Sequence, residues 1–176
     1  MTDEELDSWI KFKSLTICQL NDSGIEQTYV SLKIDPSFDI YERLYVSKKA
    51  NKFDWSYIAW DSKSDYQKYS KSRDERLKLK FGKFQPKLMI IRGELDVNFY
   101  QETEKKIKYL KLIPIIEKND LGLDGTNYQI SIGNYLREVT YSWWNNLPEE
   151  WSELEFIFTE LYKNMEIARK EIISSC

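Results

Sequence analysis

Apolar and polar residues alternate in some stretches of this chain and recur at three- and four-residue steps in others. From Thr28 to Ile34, Thr28, Val30, Leu32 and Ile34 alternate with Tyr29, Ser31 and Lys33. That period of two predicts a half-buried strand. Thr16 to Leu20 reads as a strand before it, and the NDSG run between them consists of turn formers, so the pair predicts a hairpin. Asp35-Pro36 ends the second strand, because proline has no N–H to give to a ladder. Phe38 to Lys52 reads two ways. Phe38, Tyr41, Leu44 and Tyr45 have helical spacing, yet YERLYVS also suits a strand. FDWSYIAW, Phe53 to Trp60, is a strand with Phe53, Trp55 and Tyr57 on one side. Ser62 to Lys80 is polar and lysine-rich, a loop running into a short helix.

The second half is more regular. Lys87 to Arg92 contains LMII, a short apolar run expected as a central strand covered on both faces. Asp96 is placed to cap a helix over Val97 to Leu112, with Phe99, Thr103, Ile107 and Leu110 as its stripe and Pro114 as its stop. Asp124-Gly125 predicts a turn, Tyr128, Ile130 and Ile132 one face of a strand, and Gly133-Asn134 the next turn. Arg137 to Trp144 returns as a strand, with Val139, Tyr141 and Trp143 opposite Thr140, Ser142 and Trp144.

The stretch YSWWNNLPEEW, Tyr141 to Trp151, joins that strand to a helix. Pro148 suits a first helical position, where its missing N–H is no loss. Glu149 and Glu150 follow at the positive end of the helix dipole. Ser152 with Glu155 offers a capping box slightly later. Trp151, Leu154, Phe158, Leu161, Met165, Ala168 and Ile172 then form one apolar face. Trp143 and Trp144 must point to opposite sides of their strand. Unless the sheet is covered on both faces, one of them reaches a surface, where tryptophan serves as an interface anchor. No linker or repeat divides the chain. The expected fold is α+β, a single domain over residues 1–176, with a mostly antiparallel sheet and two main helices, near Val97–Leu112 and Glu149–Glu171, packed on it.

Composition narrows the chemistry. The chain has 176 residues, 41% hydrophobic and 31% charged, which fits a globular domain. Aromatics reach 15%, with twelve tyrosines, and such rings suit recognition surfaces, although Lys, Asn, Ile and Tyr usage also fits an AT-rich coding sequence. There is no histidine, which removes Ser-His-Asp and Cys-His catalysis and imidazole metal ligands. Cys18 and Cys176 form no metal cluster or disulfide framework, and Cys18, in an apolar stretch, reads as core. The acidic N-terminus predicts no signal peptide, no 18-residue apolar run predicts a membrane span, and a cytoplasmic location follows. Net charge is −3 but uneven. Asp61 to Leu112 carries fourteen basic and eight acidic residues, and Ile113 to Cys176 five basic and eleven acidic.

The pattern of Asp124, Gly125, Tyr128, Ile130, Ile132, Trp143, Pro148, Trp151 and Leu154 resembles small bacterial proteins of the immunity type, over about the last third of the chain. The resemblance implies a non-enzymatic protein that neutralises a cognate toxin, often a nuclease, by occluding its active site. An acidic C-terminal third would complement a basic partner of that kind. Trp144, Glu149 and Glu150 are the expected partner-binding residues, and no cofactor, metal or catalytic residue is expected. The alternative lies in the basic middle. Asp61-Ser62-Lys63 at a strand end resembles the acidic-x-lysine element of Mg²⁺ nucleases, with Asp35 or Asp39 needed to complete the site. Lys63 to Phe84 interleaves cations with Tyr66, Tyr69, Phe81 and Phe84, a composition that fits single-stranded nucleic acid. Asp120 and Asp124 lack the spacing of a known calcium loop.

Overall fold

The computed structural model describes residues 2–21, 28–36, 40–49, 52–80, 82–94, 97–111, 125–134 and 137–175. The chain folds as α1 (Asp3–Asn21), β1 (Thr28–Pro36), β2 (Tyr41–Lys49), β3 (Lys52–Trp60), α2 (Ser62–Lys71), α3 (Arg73–Lys80), β4 (Leu88–Glu94), α4 (Val97–Tyr109), β5 (Thr126–Asn134), β6 (Arg137–Trp144) and α5 (Glu155–Ser175). The strands form one six-stranded sheet in the order β4-β3-β2-β1-β5-β6. Every neighbouring pair is antiparallel, so the fold is α+β.

Two hydrophobic clusters sandwich the sheet unevenly. The first joins Val30, Leu32, Leu44, Val46, Tyr57, Ile130, Tyr141 and Trp143 to Leu154, just before the C-terminal helix, and to Ile157, Leu161, Met165 and Ala168 on it. The three- and four-residue spacing of that helix and the two-residue spacing of the strands thus meet in one core. The second cluster packs Trp9 and Leu20 of α1 with Tyr41, Tyr45, Ile58, Trp60, Tyr69 and Phe84. Among the described residues it uses β2 and β3, with Leu88 of β4 at its margin, and nothing from β5 or β6.

Three elements differ from the expected ones. Thr16 to Leu20 is the end of α1, not a hairpin strand. Its local β-branched residues favour a strand, but Trp9, Phe12, Thr16 and Leu20 repeat at three- and four-residue steps, and Trp9, Thr16 and Leu20 are buried on one side. The helix start also carries a capping box. The Thr2 N–H donates to Glu5 Oε2 at 2.9 Å and the Glu5 N–H to Thr2 Oγ1 at 3.3 Å. Tertiary bonds hold both ends: the Tyr69 hydroxyl donates to the Glu5 carbonyl and the Tyr45 hydroxyl to the Leu20 carbonyl. Cys18 rides on the outer side of α1 and is exposed rather than core. The two expected helices are therefore joined by a third long one, and Ser62–Lys80 is two helices rather than a loop running into one short helix.

β4 is an edge strand, not a central one. Met89 and Ile91 pack towards the first cluster, while Ile90 is 52% exposed. A short apolar run cannot by itself tell a central strand from an edge. Here the chain returns from α3 alongside β3, and β5 takes the place beside β1. Gly93 of β4 sits opposite Trp55, and a Cβ there would fall 2.6 Å from the indole Nε1. Gly93→Ala is expected to displace that ring and lower unfolding free energy by about 1–3 kcal/mol, read as a lower urea midpoint at unchanged slope.

The proposed turn at Asn21–Gly24, the Asp96 cap, the Pro114 stop, Asp120 and Asp124 fall wholly or partly outside the described residues. So do the side chain of Phe99, and Asp39, Phe81 and Cys176.

Candidate functional site

The connection from β6 to α5 is built by its asparagine and proline. Asn145 adopts φ 56°, in the left-handed region that asparagine tolerates better than most residues. Its N–H donates to the Thr126 carbonyl at 2.9 Å, and its Oδ1 accepts the Thr126 N–H at 2.9 Å. The end of β6 is thereby clipped to the start of β5. Pro148 then caps a short 3₁₀ turn, Glu149–Leu154, and the regular helix begins only at Glu155. The expected helix from Glu149 therefore starts with a tighter, irregular turn. Trp151, at φ −108° and ψ 18°, leaves helical geometry where its ring packs on Tyr141, with centroids 5.3 Å apart. The Glu155 N–H reaches the Ser152 carbonyl.

The adjacent tryptophans separate as the strand requires. Trp143 is 2% exposed, stacked on Tyr128 and edge-on to Phe158. Trp144 is half-buried on the opposite face, its indole lying over Gly125. Glu149 and Glu150 are exposed on the 3₁₀ turn, and Glu153 and Glu155 continue the exposed carboxylates into α5. Glu153 accepts the Lys111 N–H at 3.2 Å. Among the described residues, Glu149, Glu150 and Glu155 have no ion-pair partner.

The basic middle is occupied with structural work. Asp61 caps α2, its Oδ1 accepting the Ser64 N–H at 2.8 Å. Asp35, offered above as its partner, instead meets the buried Arg43 at 2.5 Å. Among the described residues, no group of three or more Asp, Glu or Cys is arranged to hold a metal ion. Tyr69 and Phe84 are buried in the second cluster and Tyr66 packs against it, so their faces meet Trp9 rather than solvent. Asp65 is buried and accepts from the Trp60 Nε1 at 2.9 Å and the Lys87 N–H at 3.0 Å, tying α2 to the sheet. Arg76 and Lys78 pair with Glu5 and Glu75.

Sequence reading missed one polar cluster. At one end of the sheet, a cleft of about 490 Å³ lies between Ile34, Ile40 and Tyr128 and the last turns of α5. On its wall, Arg169 grips the buried Glu42: Nε donates to Oε1 at 2.5 Å and Nη2 to Oε2. The Tyr57 hydroxyl also donates to Glu42 Oε1, and Arg169 Nη1 reaches the Tyr162 hydroxyl at 3.4 Å. Burial, then the Glu42 charge, pushes the Tyr57 phenol far above its ordinary range. Its hydrogen bonds to Glu42 likewise raise the already basic Arg169. With Tyr57 on β3 and Arg169 on α5 both donating to Glu42, this cluster binds α5 to β2 and β3. Its partners lie 127 positions apart, and no local pattern announces them.

No described helix is long and apolar enough to cross a membrane. No family model, no curated protein and no solved structure matches this chain.

Proposed function

We propose that the chain is a non-enzymatic protein-binding module of the immunity type, acting in the bacterial cytoplasm on a basic toxin or nuclease. The observation that carries this reading is the set of exposed carboxylates of Glu149, Glu150 and Glu155, unpaired among the described residues, directly downstream of the half-buried Trp144. Carboxylates without internal partners keep their full field for steering a cationic surface. A large ring anchored at one edge supplies apolar contact that charge alone does not. Occlusion of the partner's active site needs no chemistry from this chain. The nuclease reading is weaker, because Asp61 is spent as a helix cap and Asp35 on Arg43.

The test is capture from the source cells with the tagged chain, followed by assay of the captured protein. The expected result is one stoichiometric basic protein whose activity the chain abolishes. Reversing charge with Glu149→Lys and Glu150→Lys is expected to slow association about tenfold at low salt, while the lost helix-dipole interaction lowers the melting temperature by only a few degrees. Recovery of nucleic acid alone, or of a partner whose activity is untouched, rejects the proposal.

A further inference from the structure

Among the described residues, the two edge strands of the sheet, β4 and β6, are not protected alike. β4 ends in Arg92, Gly93 and Glu94, charge and glycine of the kind that discourages strand addition, whereas the charges of β6, Arg137 and Glu138, are confined to its first two residues. β6 runs Val-Thr-Tyr-Ser-Trp-Trp from Val139 to Trp144, β-branched and aromatic, with no charge, glycine or proline. Its two faces are cleanly sorted. Tyr141 and Trp143 belong to the core under α5, and Val139, opposite Ile132 on the same face, is 50% exposed. On the other face, Thr140 meets Ser131 at 2.9 Å and Ser142 meets Asn127 at 3.1 Å, with Glu138 and Trp144 at the two ends.

We infer that the outer edge of β6 pairs antiparallel with β6 of a second copy, about a two-fold axis at Tyr141. Antiparallel partners share a face, so matching faces requires pairs whose numbers add to an even sum. The register centred on Tyr141 is the one that pairs all of Glu138 to Trp144. It sets Val139 against the partner's Trp143, Tyr141 against its own copy, Thr140 against Ser142 and Glu138 against Trp144. Apolar residues meet apolar ones on the α5 face, and the exposed Val139 gains a cover. The two Glu138 carboxylates stand about 20 Å apart, from six residues at about 3.4 Å each, well beyond the ~8 Å screening length. Two-fold pairing closes the assembly and uses up the unprotected edge in one step. This inference does not rest on the proposed partner: it uses the backbone edge of β6, shares only Trp144 with the partner surface, and leaves the carboxylates of the 3₁₀ turn free.

Sedimentation velocity on the intact chain from about 1 to 300 µM tests it. Mass is expected to rise from the 21.1 kDa of the monomer towards twice that value. Val139→Lys, at an exposed position, is expected to weaken association at least tenfold without unfolding the chain. Ile90→Lys, on the opposite edge, is expected to leave association unchanged. In a Cys18→Ser, Cys176→Ser background, protomers carrying Thr140→Cys and Ser142→Cys are expected to cross-link with each other and not with themselves. A chain that stays monomeric throughout overturns the inference. So does a dimer that Val139→Lys leaves intact, one that Ile90→Lys abolishes, or a different pattern of cross-links.

Discussion

Trp143→Ala lowers unfolding free energy by about 3–5 kcal/mol, whereas Trp144→Ala, one residue along the same strand, lowers it by about 1 kcal/mol. This is the expected outcome of urea titrations on the two variants. Trp143 is sealed between Tyr128 and Phe158, and its removal leaves a hole among rings that α5 and β5 hold in place. A cavity walled by two packed elements collapses poorly, so both the transfer and the cavity costs are felt. Trp144 covers the Gly125 backbone and keeps part of its surface in water, so its loss exposes little that was dry. Equal losses at the two positions would mean that the second face of β6 is as buried as the first. A selective loss of partner binding in Trp144→Ala, at near-native stability, would mark it as an anchor.

The second large effect is expected at Glu42. Glu42→Ala leaves the Arg169 guanidinium and the Tyr57 hydroxyl facing each other without their shared acceptor. Breaking one side of a buried pair typically costs about 3–5 kcal/mol. Solvent reaches part of Arg169, whose side chain is 31% exposed, so about 3 kcal/mol is expected. Against a total of about 5–15 kcal/mol for a native domain, that is a serious loss. Replacing the whole cluster by Glu42→Leu, Tyr57→Phe and Arg169→Met together is expected to recover most of it, because no polar group is then stranded. If Glu42→Ala shifted stability by less than 1 kcal/mol, the pair would be behaving as a solvated surface bridge.

Much of the candidate surface was readable from the sequence. Opposite facing of Trp143 and Trp144 follows from the two-residue period of any strand. Exposure of Glu149 and Glu150 follows from a proline-started turn ahead of an apolar helix face. The start of α1 was readable too: Thr2 and Glu5 have capping-box spacing, and Trp9, Phe12, Thr16 and Leu20 have helical spacing. The β-branched Thr16 and Ile17 favour a strand locally, and the bonds to Tyr45 and Tyr69 hold the segment as a helix in the fold. The role of Asp61 needed the helix after it, since the same carboxylate at a strand end suits either a metal or a cap.

Periodicity alone placed the strands from Thr28, Phe53 and Arg137 onwards, the strand carrying Tyr128, Ile130 and Ile132, and the buried face of α5. Those features rest on periodicity, which each segment carries within a few residues. That β4 and β6 are the edges, that Asp35 serves Arg43 and that Glu42 meets Arg169 emerge only in the folded chain. Strand order and buried ion pairs depend on which distant segments come together, and a free energy shared between residues 127 positions apart leaves no trace in the local pattern of either.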